Sequence, residues 1–239
     1  MSIVLKNIDY TYMRGTPFEC KALSDVSLTI EAGSFTALAG HTGSGKSTLV
    51  QHLNGLLQPD SGTVLVDGTD IGKKGAEAKK AKHSVGMVFQ YPEHQLFEET
   101  VEKDVAFGPT RLGLSAQEVE ERVRAALDFV GLPVSEFGAR SPFALSGGQR
   151  RRAAIAGVLA LKPRYLVLDE PTAGLDPRAS AALLARLAEL HEQDGVTILL
   201  VSHNMDDIAH YADRLIVMHA GRVTLEGAPR EVFFAKERL

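Results

Sequence analysis

A glycine-rich loop between an apolar run and a helical pattern constrains this chain more than any other feature. Residues 40–47 read GHTGSGKS and match the pattern G-x-x-x-x-G-K-[ST]. The preceding residues 34–39 predict a strand, and residues 47–57 carry leucine and valine at helical spacing, which predicts a helix that ends before Pro59. Glycines let consecutive backbone N–H groups converge on one anion, and a helix N-terminus adds partial positive charge. This order predicts a site for a nucleoside triphosphate.

Two side chains of the loop have chemistry of their own. Lys46 is predicted to reach the β- and γ-phosphates, and the Ser47 hydroxyl is predicted to ligate Mg²⁺. The alternative is a glycine-rich turn that opens a helix by chance. The order of the residues and the character of both flanks disfavour it.

Composition narrows the class of protein. The 239 residues, 44% of them hydrophobic, suffice for one substantial core or for a domain with a subdomain. A formal net charge of -4 argues against a nucleic-acid partner. The single cysteine, Cys20, allows no internal disulfide and indicates a reducing compartment. Because there is no secretory signal pattern and no apolar run of roughly 18 residues, we expect a cytoplasmic protein that can still dock onto a membrane partner.

Carboxylates follow a second apolar run. Residues 165–170 read YLVLDE, and a continuous apolar run indicates a parallel strand buried on both faces. The ends of such strands form the ligand crevice. Asp169 is therefore predicted to hold Mg²⁺, directly or through water, and Glu170 to orient and deprotonate the attacking water. The predicted strand at 196–201 ends beside His203, which at the same edge could hydrogen-bond the γ-phosphate and sense its presence.

The segment LSGGQ, at residues 145–149, leads directly into a predicted helix. Ser146 and Gln149 form a capping-box pattern, but that box does not require Gly147 and Gly148, each of which costs up to about 1 kcal/mol relative to alanine. Bare backbone at a helix N-terminus suits an anion, yet no Lys-Ser follows. We therefore expect this segment to complete the phosphate site of another subunit. The arginines at 150–152 are predicted to form a solvated or ion-paired helix face.

Other segments give weaker signals. Residues 100–161 show no strong strand, and a capping box from Ser115 to Glu118 predicts a helix within a helical insertion. Paired strands are expected at 3–12 with 26–30 and at 213–218 with 222–226, a further strand at 63–67, and a short last helix at 230–236. The lysine-rich residues 73–82 favour a solvated face over a membrane-surface role. Tyr10 and Tyr12 fall near the end of the first predicted strand, and a tyrosine there either stacks on an adenine ring or is an ordinary strand aromatic.

Taken together, the order GHTGSGKS, Gln90, LSGGQ, YLVLDE, AGLD (173–176) and His203 resembles the ATPase subunit of an ABC transporter over nearly the whole chain. The sequence VFQYPEHQLFEETVEKDVAFGP around Gln90 and the ending EGAPREVF resemble the ATPase subunits of energy-coupling factor (ECF) importers, in particular the second ATPase of a heterodimeric pair. The resemblance implies an α/β fold of the P-loop NTPase (RecA-like) type. It has a parallel-sheet core, an antiparallel β-subdomain and an α-helical subdomain.

The resemblance also implies domain limits and residue roles. Residues 1–239 would form one ABC ATPase domain, with the core at 1–90 and 162–227, the helical subdomain at 91–161 and a short C-terminal helix at 228–239. Tyr12 would stack on adenine, Gln90 would contact Mg²⁺ or water and report to a membrane subunit, and Asp176 would cross a dimer interface. The implied phosphate contacts are Gly40, His41, Thr42, Gly43, Ser44, Gly45, Lys46, Ser47 and Thr48. The implied contacts to the opposite subunit's nucleotide are Ser146, Gly147, Gly148 and Gln149. The implied catalytic residues are Glu170, His203, Gln90 and Lys46, and the implied Mg²⁺ ligands are Ser47, Gln90 and Asp169.

The function implied is ATP hydrolysis, with Mg²⁺, that powers uptake of vitamins, other micronutrients or metal ions. The implied partners are a second ABC ATPase in a head-to-tail dimer, an integral membrane coupling subunit and a substrate-binding membrane component, at the cytoplasmic face of the membrane and without nucleic acid. An identical and a different second ATPase both fit the sequence. The alternatives are the ATPase of another ABC transporter, a soluble ABC ATPase, and a P-loop kinase or GTPase. The last has no use for LSGGQ, and no N-K-x-D follows the loop.

Overall fold

The computed structural model describes residues 1–235, which form two compact units. The first unit comprises Met1–Val85, Arg164–Glu170 and the chain from Leu190 onward, and the second comprises Gly86–Pro163 and Pro171–Glu189. The last residues of the predicted final helix and of the predicted C-terminal segment, 236–239, lie outside the described residues.

An antiparallel sheet forms one layer of the first unit, and its strands are β1 (Ser2–Tyr12), β2 (Cys20–Glu31), β4 (Ser61–Val66) and β5 (Thr69–Asp70). Their order across the sheet is β2-β1-β4-β5. Along β1, Ile3 and Leu5 are buried, and Ile8 is buried after a register shift between Leu5 and Ile8, which matches a strand with one face on the core and an irregularity in its middle. The predicted pairing of residues 3–12 with 26–30 is confirmed, although β2 begins earlier, at Cys20.

A mainly parallel sheet carries the predicted crevice. Its strands in chain order are β3 (Phe35–Ala39), β6 (Val85–Val88), β7 (Tyr165–Asp169), β8 (Thr197–Val201), β9 (Arg214–His219) and β10 (Arg222–Gly227). The first unit contains the order β10-β9-β3-β8-β7, and β6, which begins in this unit at Val85, is the sixth strand. Strands β3, β7, β8 and β9 run parallel, and β10 returns antiparallel to β9. Every residue of β3, β7 and β8 is buried, as their continuous apolar runs predicted.

Parallel strands end at one edge of a sheet, and this brings three sequence motifs to the same edge. The glycine loop follows β3, Asp169 and Glu170 stand at the end of β7, and His203 follows β8. Sequence order alone would leave these segments far apart. The sheet is what assembles them.

Helices complete both units. Those of the first unit are α1 (Lys46–Leu53), α2 (Ala76–His83), α8 (Met205–Tyr211) and α9 (Pro229–Phe234). Those of the second are α3 (Val101–Arg111), α4 (Ala116–Phe129), α5 (Val134–Phe137) and α6 (Gly147–Leu159), with 3₁₀ turns at Pro92–Gln95 and Pro142–Ala144. Helix α7 (Pro177–Asp194) begins in the second unit and ends in the first. No helix in the described part of the chain is long and apolar enough to cross a membrane.

Some predicted elements need correction. The helix expected at residues 47–57 ends at Leu53, because Asn54 closes it and Gly55 has φ 70°, a left-handed conformation that a helix cannot continue. The lysine-rich segment contains α2, and α8 follows an Asn204 cap; neither helix was predicted. The capping boxes at Ser115 and at Ser146 are both present.

Candidate functional site

The glycine loop between β3 and α1 exposes bare backbone. Gly40, Gly43 and Gly45 have φ angles of 149°, 80° and 101°. A Cβ on Gly40 would lie 2.3 Å from the Met218 carbonyl oxygen, and a Cβ on Gly45 would lie 2.7 Å from that of Ala22. Conformation and close packing both disfavour a side chain at Gly40 and Gly45, and conformation alone does so at Gly43, so the loop keeps its N–H groups uncovered, as an anion site requires.

Two polar side chains of the loop, Lys46 and Ser44, are placed where a phosphate could bind. The Lys46 ammonium donates to the carbonyl oxygens of Gly40 at 2.8 Å and His41 at 3.0 Å. Burial lowers the pKa of Lys46, while the charges of Glu170 and Asp169 act to raise it. The Ser44 hydroxyl is buried and has no hydrogen-bond partner among the described residues. An ammonium group that donates to carbonyls of its own loop, a buried hydroxyl without a partner and the exposed N–H groups of the glycine loop together fit a phosphate group.

The carboxylate of Asp169, at the end of β7, meets the hydroxyl of Ser47. Asp169 is 5% exposed, and its carboxylate accepts a hydrogen bond from the Ser47 side chain. Burial raises the pKa of Asp169, and the Ser47 hydrogen bond and the Lys46 charge oppose this. Carboxylate and hydroxyl oxygens are ligands that Mg²⁺ accepts. Residues 1–235 contain no group of three His, Cys, Asp or Glu side chains able to hold a metal, so an ion here would need nucleotide and water oxygens as well.

Glu170 and His203 meet at the same edge. The His203 Nε2 atom lies 2.6 Å from Glu170 Oε1. Glu170 has φ 50°, which is uncommon for a residue with a side chain, and its N–H donates to the Val201 carbonyl oxygen at 3.1 Å. A backbone hydrogen bond to the last residue of β8 and a side-chain contact to His203, two residues further on, thus hold this carboxylate.

Tyr12 stands at the end of β1, beside the helix that follows the loop. Its side chain is 37% exposed, and its hydroxyl lies 3.2 Å from Thr48 Oγ1. The structure therefore brings together, within the first unit, Tyr12, the loop 40–48, Asp169, Glu170 and His203.

The other predicted site residues belong to the second unit. Gln90 is exposed just after β6, and Asp176 caps α7 by accepting the Ala179 N–H at 2.9 Å. At the start of α6, the Gln149 N–H donates to Ser146 Oγ at 3.3 Å, and the Ser146 N–H donates to Gln149 Oε1 at 2.9 Å. A Cβ on Gly147 would meet nothing within 4 Å, so the chain leaves this helix start open.

Two sets of contacts near these motifs were not predicted from the sequence. Tyr10 and His52 form ring contacts next to Tyr12, and the only signal was that Tyr10 precedes Tyr12 by two strand positions. Arg151, expected on a solvated or ion-paired face, is ion-paired but not solvated: it is 2% exposed, and its Nε donates to Glu93 Oε2 at 3.1 Å. No periodicity distinguishes it from its two arginine neighbours.

A family model and the curated relatives of this chain point to the same protein family. A family model described as ABC transporter matches residues 23–173. The chain is 54% identical over 233 residues to the energy-coupling factor transporter ATP-binding protein EcfA2 of Clostridium tetani, which covers 98% of this chain and 81% of the relative. It is 55% identical over 239 residues to the EcfA2 of Symbiobacterium thermophilum, which covers 100% of this chain and 82% of the relative.

Solved structures agree. Clostridium perfringens cbiO1, described as part of the ABC transporter complex cbiONQ, matches with a TM-score of 0.84 and 40% identity over 98% of this chain and 91% of that one. The ATP-binding cassette MJ0796, described as dimeric and bound to ADP and Pi after hydrolysis, matches with a TM-score of 0.85 and 31% identity over 95% of this chain and 99% of that one. The predicted α/β fold of the ABC ATPase type is confirmed. The chain belongs to the ABC transporter family, among the energy-coupling factor transporter ATP-binding proteins, and is a nucleotide-binding ATPase.

Proposed function

We propose that ATP is hydrolysed at the sheet edge of the first unit with Glu170 as the general base. The observation that carries this proposal is the 2.6 Å contact between His203 Nε2 and Glu170 Oε1. A carboxylate fixed in this way can accept the proton of an attacking water, and His203 orients it. His203, with 48% of its side chain exposed, is also proposed to reach the γ-phosphate.

The phosphates would be bound by the loop 40–48. Its backbone N–H groups would face the phosphate oxygens, and the Lys46 ammonium, now bonded to the carbonyls of Gly40 and His41, would neutralise the β- and γ-phosphates. The buried Ser44 hydroxyl gains a polar partner in this arrangement. Tyr12, with its partly exposed ring, would stack on the adenine.

Ser47 and Asp169 would hold Mg²⁺, since a hydroxyl and a carboxylate already meet there. When bound, the ion would neutralise charge on the β- and γ-phosphate oxygens. Gln90 is proposed as a further Mg²⁺ or water contact, and the support for it is the family resemblance together with its exposed position after β6.

The second half of each site would come from a facing ATPase subunit. The capping box occupies Ser146 and Gln149, while Gly147 has open space around it, so an anion can approach this helix start from outside the chain. We therefore propose a head-to-tail dimer in which Ser146, Gly147, Gly148 and Gln149 contact the nucleotide of the other subunit and Asp176 lies at the interface.

Membrane partners are proposed for the second unit. Phe97 and Phe107 are 58% and 40% exposed and contact each other edge to face, with ring centroids 5.0 Å apart. With Tyr91, directly after Gln90, they provide exposed aromatic surface, which marks interaction sites. We propose that an integral membrane coupling subunit docks here, and that a substrate-binding membrane component completes an ECF importer of vitamins, other micronutrients or metal ions. The chain would act at the cytoplasmic face of the membrane, without nucleic acid.

We further propose that residues 1–239 act as one ABC ATPase domain, with the nucleotide core at 1–90 and 162–227, the helical subdomain at 91–161 and a short C-terminal segment at 228–239. The two compact units support a division of labour of this kind: the phosphate loop lies in the first, and the LSGGQ segment in the second.

The test of the proposed chemistry is Glu170→Gln in the assembled ATPase pair. We expect the variant to bind ATP as the wild type does, while steady-state hydrolysis falls by at least about 10²-fold, the low end for general-base catalysis. Glu31→Gln, which changes an exposed carboxylate at the end of β2, is the matched control and should keep full turnover. Undiminished hydrolysis by Glu170→Gln would remove this residue from the mechanism.

A further inference from the structure

Three rings meet beneath the end of β1. The rings of Tyr10 and Tyr12 contact each other edge to face, with centroids 4.9 Å apart and an interplanar angle of 90°. The Tyr10 ring also meets that of His52, with centroids 4.9 Å apart at 77°. Tyr10 thus lies between the predicted adenine-stacking residue and a buried histidine of α1.

His52 is itself fixed to α1. It is fully buried, and its Nδ1 lies 2.7 Å from the Thr48 carbonyl oxygen. Because a carbonyl oxygen can only accept, the Nδ1–H must be the donor. Burial is the main influence on this ring and lowers the pKa of His52, which keeps it neutral in neutral solution. Burial therefore favours the neutral ring, and the hydrogen bond to Thr48 fixes its orientation.

Thr48 closes the arrangement. Its carbonyl accepts from His52, and its hydroxyl lies 3.2 Å from the Tyr12 hydroxyl. The contacts therefore form a closed circuit from Tyr12 through Tyr10, His52 and Thr48 back to Tyr12. Thr48 directly follows Lys46 and Ser47 in α1, so this circuit of contacts links Tyr12, proposed to stack on the adenine, to the helix whose start is proposed to bind the phosphates.

We propose that Tyr10 and His52 are positioning residues that hold the Tyr12 ring at a fixed distance from the phosphate loop and thereby set how much the adenine base adds to the affinity for ATP. This inference rests on the proposed adenine contact of Tyr12. A triphosphate without a base would bind to the loop 40–48 alone, so changes at Tyr10 or His52 should not alter its affinity. ATP would bind to the loop and to the Tyr12 ring, so the same changes should lower its affinity.

The experiment compares the binding of ATP and of inorganic tripolyphosphate, each with Mg²⁺, by the wild-type chain and its variants in calorimetry. Tyr10→Ala should weaken ATP binding by about fivefold, the typical contribution of one edge-to-face ring pair, and leave tripolyphosphate binding unchanged. Tyr10→Phe keeps the ring and should bind both ligands as the wild type does. Tyr211→Ala, which removes a ring from the separate Phe35–Tyr211 pair, is the matched control and should also change neither affinity.

The double variant separates positioning from packing. If Tyr10 acts through Tyr12, Tyr10→Ala/Tyr12→Ala loses no more ATP affinity than Tyr12→Ala alone. Additive losses, or an equal weakening of tripolyphosphate binding, would overturn the inference. Should Tyr10→Ala fail to fold, Tyr10→Leu and His52→Leu keep apolar volume without the ring, and the same selective loss is expected of both. A wild-type chain that binds no ATP, or a Tyr12→Ala variant with unchanged ATP affinity, would instead refute the proposed site.

Discussion

Replacing Arg151 by methionine probes the polar core of the second unit. Its side chain is 3% exposed, its Nε bonds Glu93 Oε2 at 3.1 Å, and its guanidinium carbon lies 5.7 Å from the Tyr91 ring centroid. Removing one partner of a buried ion pair costs about 3–5 kcal/mol because the other charge is left behind. Glu93 keeps 18% exposure, which favours the low end of that range.

One term opposes this loss. The two terminal nitrogens of Arg151 are buried without a partner among the described residues, and each such group costs about 1–3 kcal/mol. Methionine removes both of these donors along with the charge. The low end of the ion-pair loss is about 3 kcal/mol, and the lost contact with the Tyr91 ring adds about 1 kcal/mol. Relief of the two unpaired donors returns about 1 kcal/mol each, so we expect Arg151→Met to lower the free energy of unfolding by about 2 kcal/mol, measured by urea denaturation.

A matched exposed pair provides the control. Arg140 pairs with Glu136 at 3.3 Å and lies over the Phe137 ring at 4.7 Å, but both charged side chains are about half exposed. Arg140→Met should cost no more than about 1 kcal/mol. Arg151→Met/Glu93→Gln should recover most of the loss, since no unpaired charge remains. Equal losses for Arg151→Met and Arg140→Met, or additive losses in the double variant, would refute this reasoning.

Two further predictions concern pH and docking. Burial lowers the pKa of His52 below 6.5, so the unfolded chain binds a proton that the folded chain does not, and stability is lost as the pH falls below 6.5. The free energy of unfolding of His52→Gln should therefore fall less steeply than that of the wild type between pH 7 and 5 in urea titrations, and parallel curves would contradict the assignment. Phe107→Ser should reduce co-purification with an integral membrane partner while ATP affinity stays unchanged. Phe143→Ser, at a more exposed phenylalanine of the same unit, is the control and should leave co-purification unchanged; an equal reduction would contradict a docking site at Phe107.

The sequence predicted most of the elements whose patterns are locally complete. The strands β3, β7 and β8 are continuous apolar runs, and the two capping boxes each lie within four residues, so short windows suffice for them. Helix α8 escaped because it has seven residues, of which only Ile208 is buried, too few to show a period. The end of α1 was misplaced because leucines continue the apolar pattern past Gly55, where the backbone has already turned.

The sequence predicted which residues form the candidate site, but not the contacts that hold them in place. The motifs named Lys46, Asp169 and Glu170, since phosphate and Mg²⁺ chemistry demands those groups. The contacts among them depend on which strand ends share a sheet edge. The roles of Tyr10 and His52 depend on a contact between residues 42 positions apart, which no local pattern encodes.

The central claim is that each ATP site is completed by a facing subunit. The most direct measurement follows ATP turnover and molar mass on the same chromatographic fractions, with the chain alone and with its partner ATPase added. We expect turnover only in fractions whose mass corresponds to two ATPase subunits, and none in the monomer fraction. Full-speed hydrolysis by a strictly monomeric chain would contradict it.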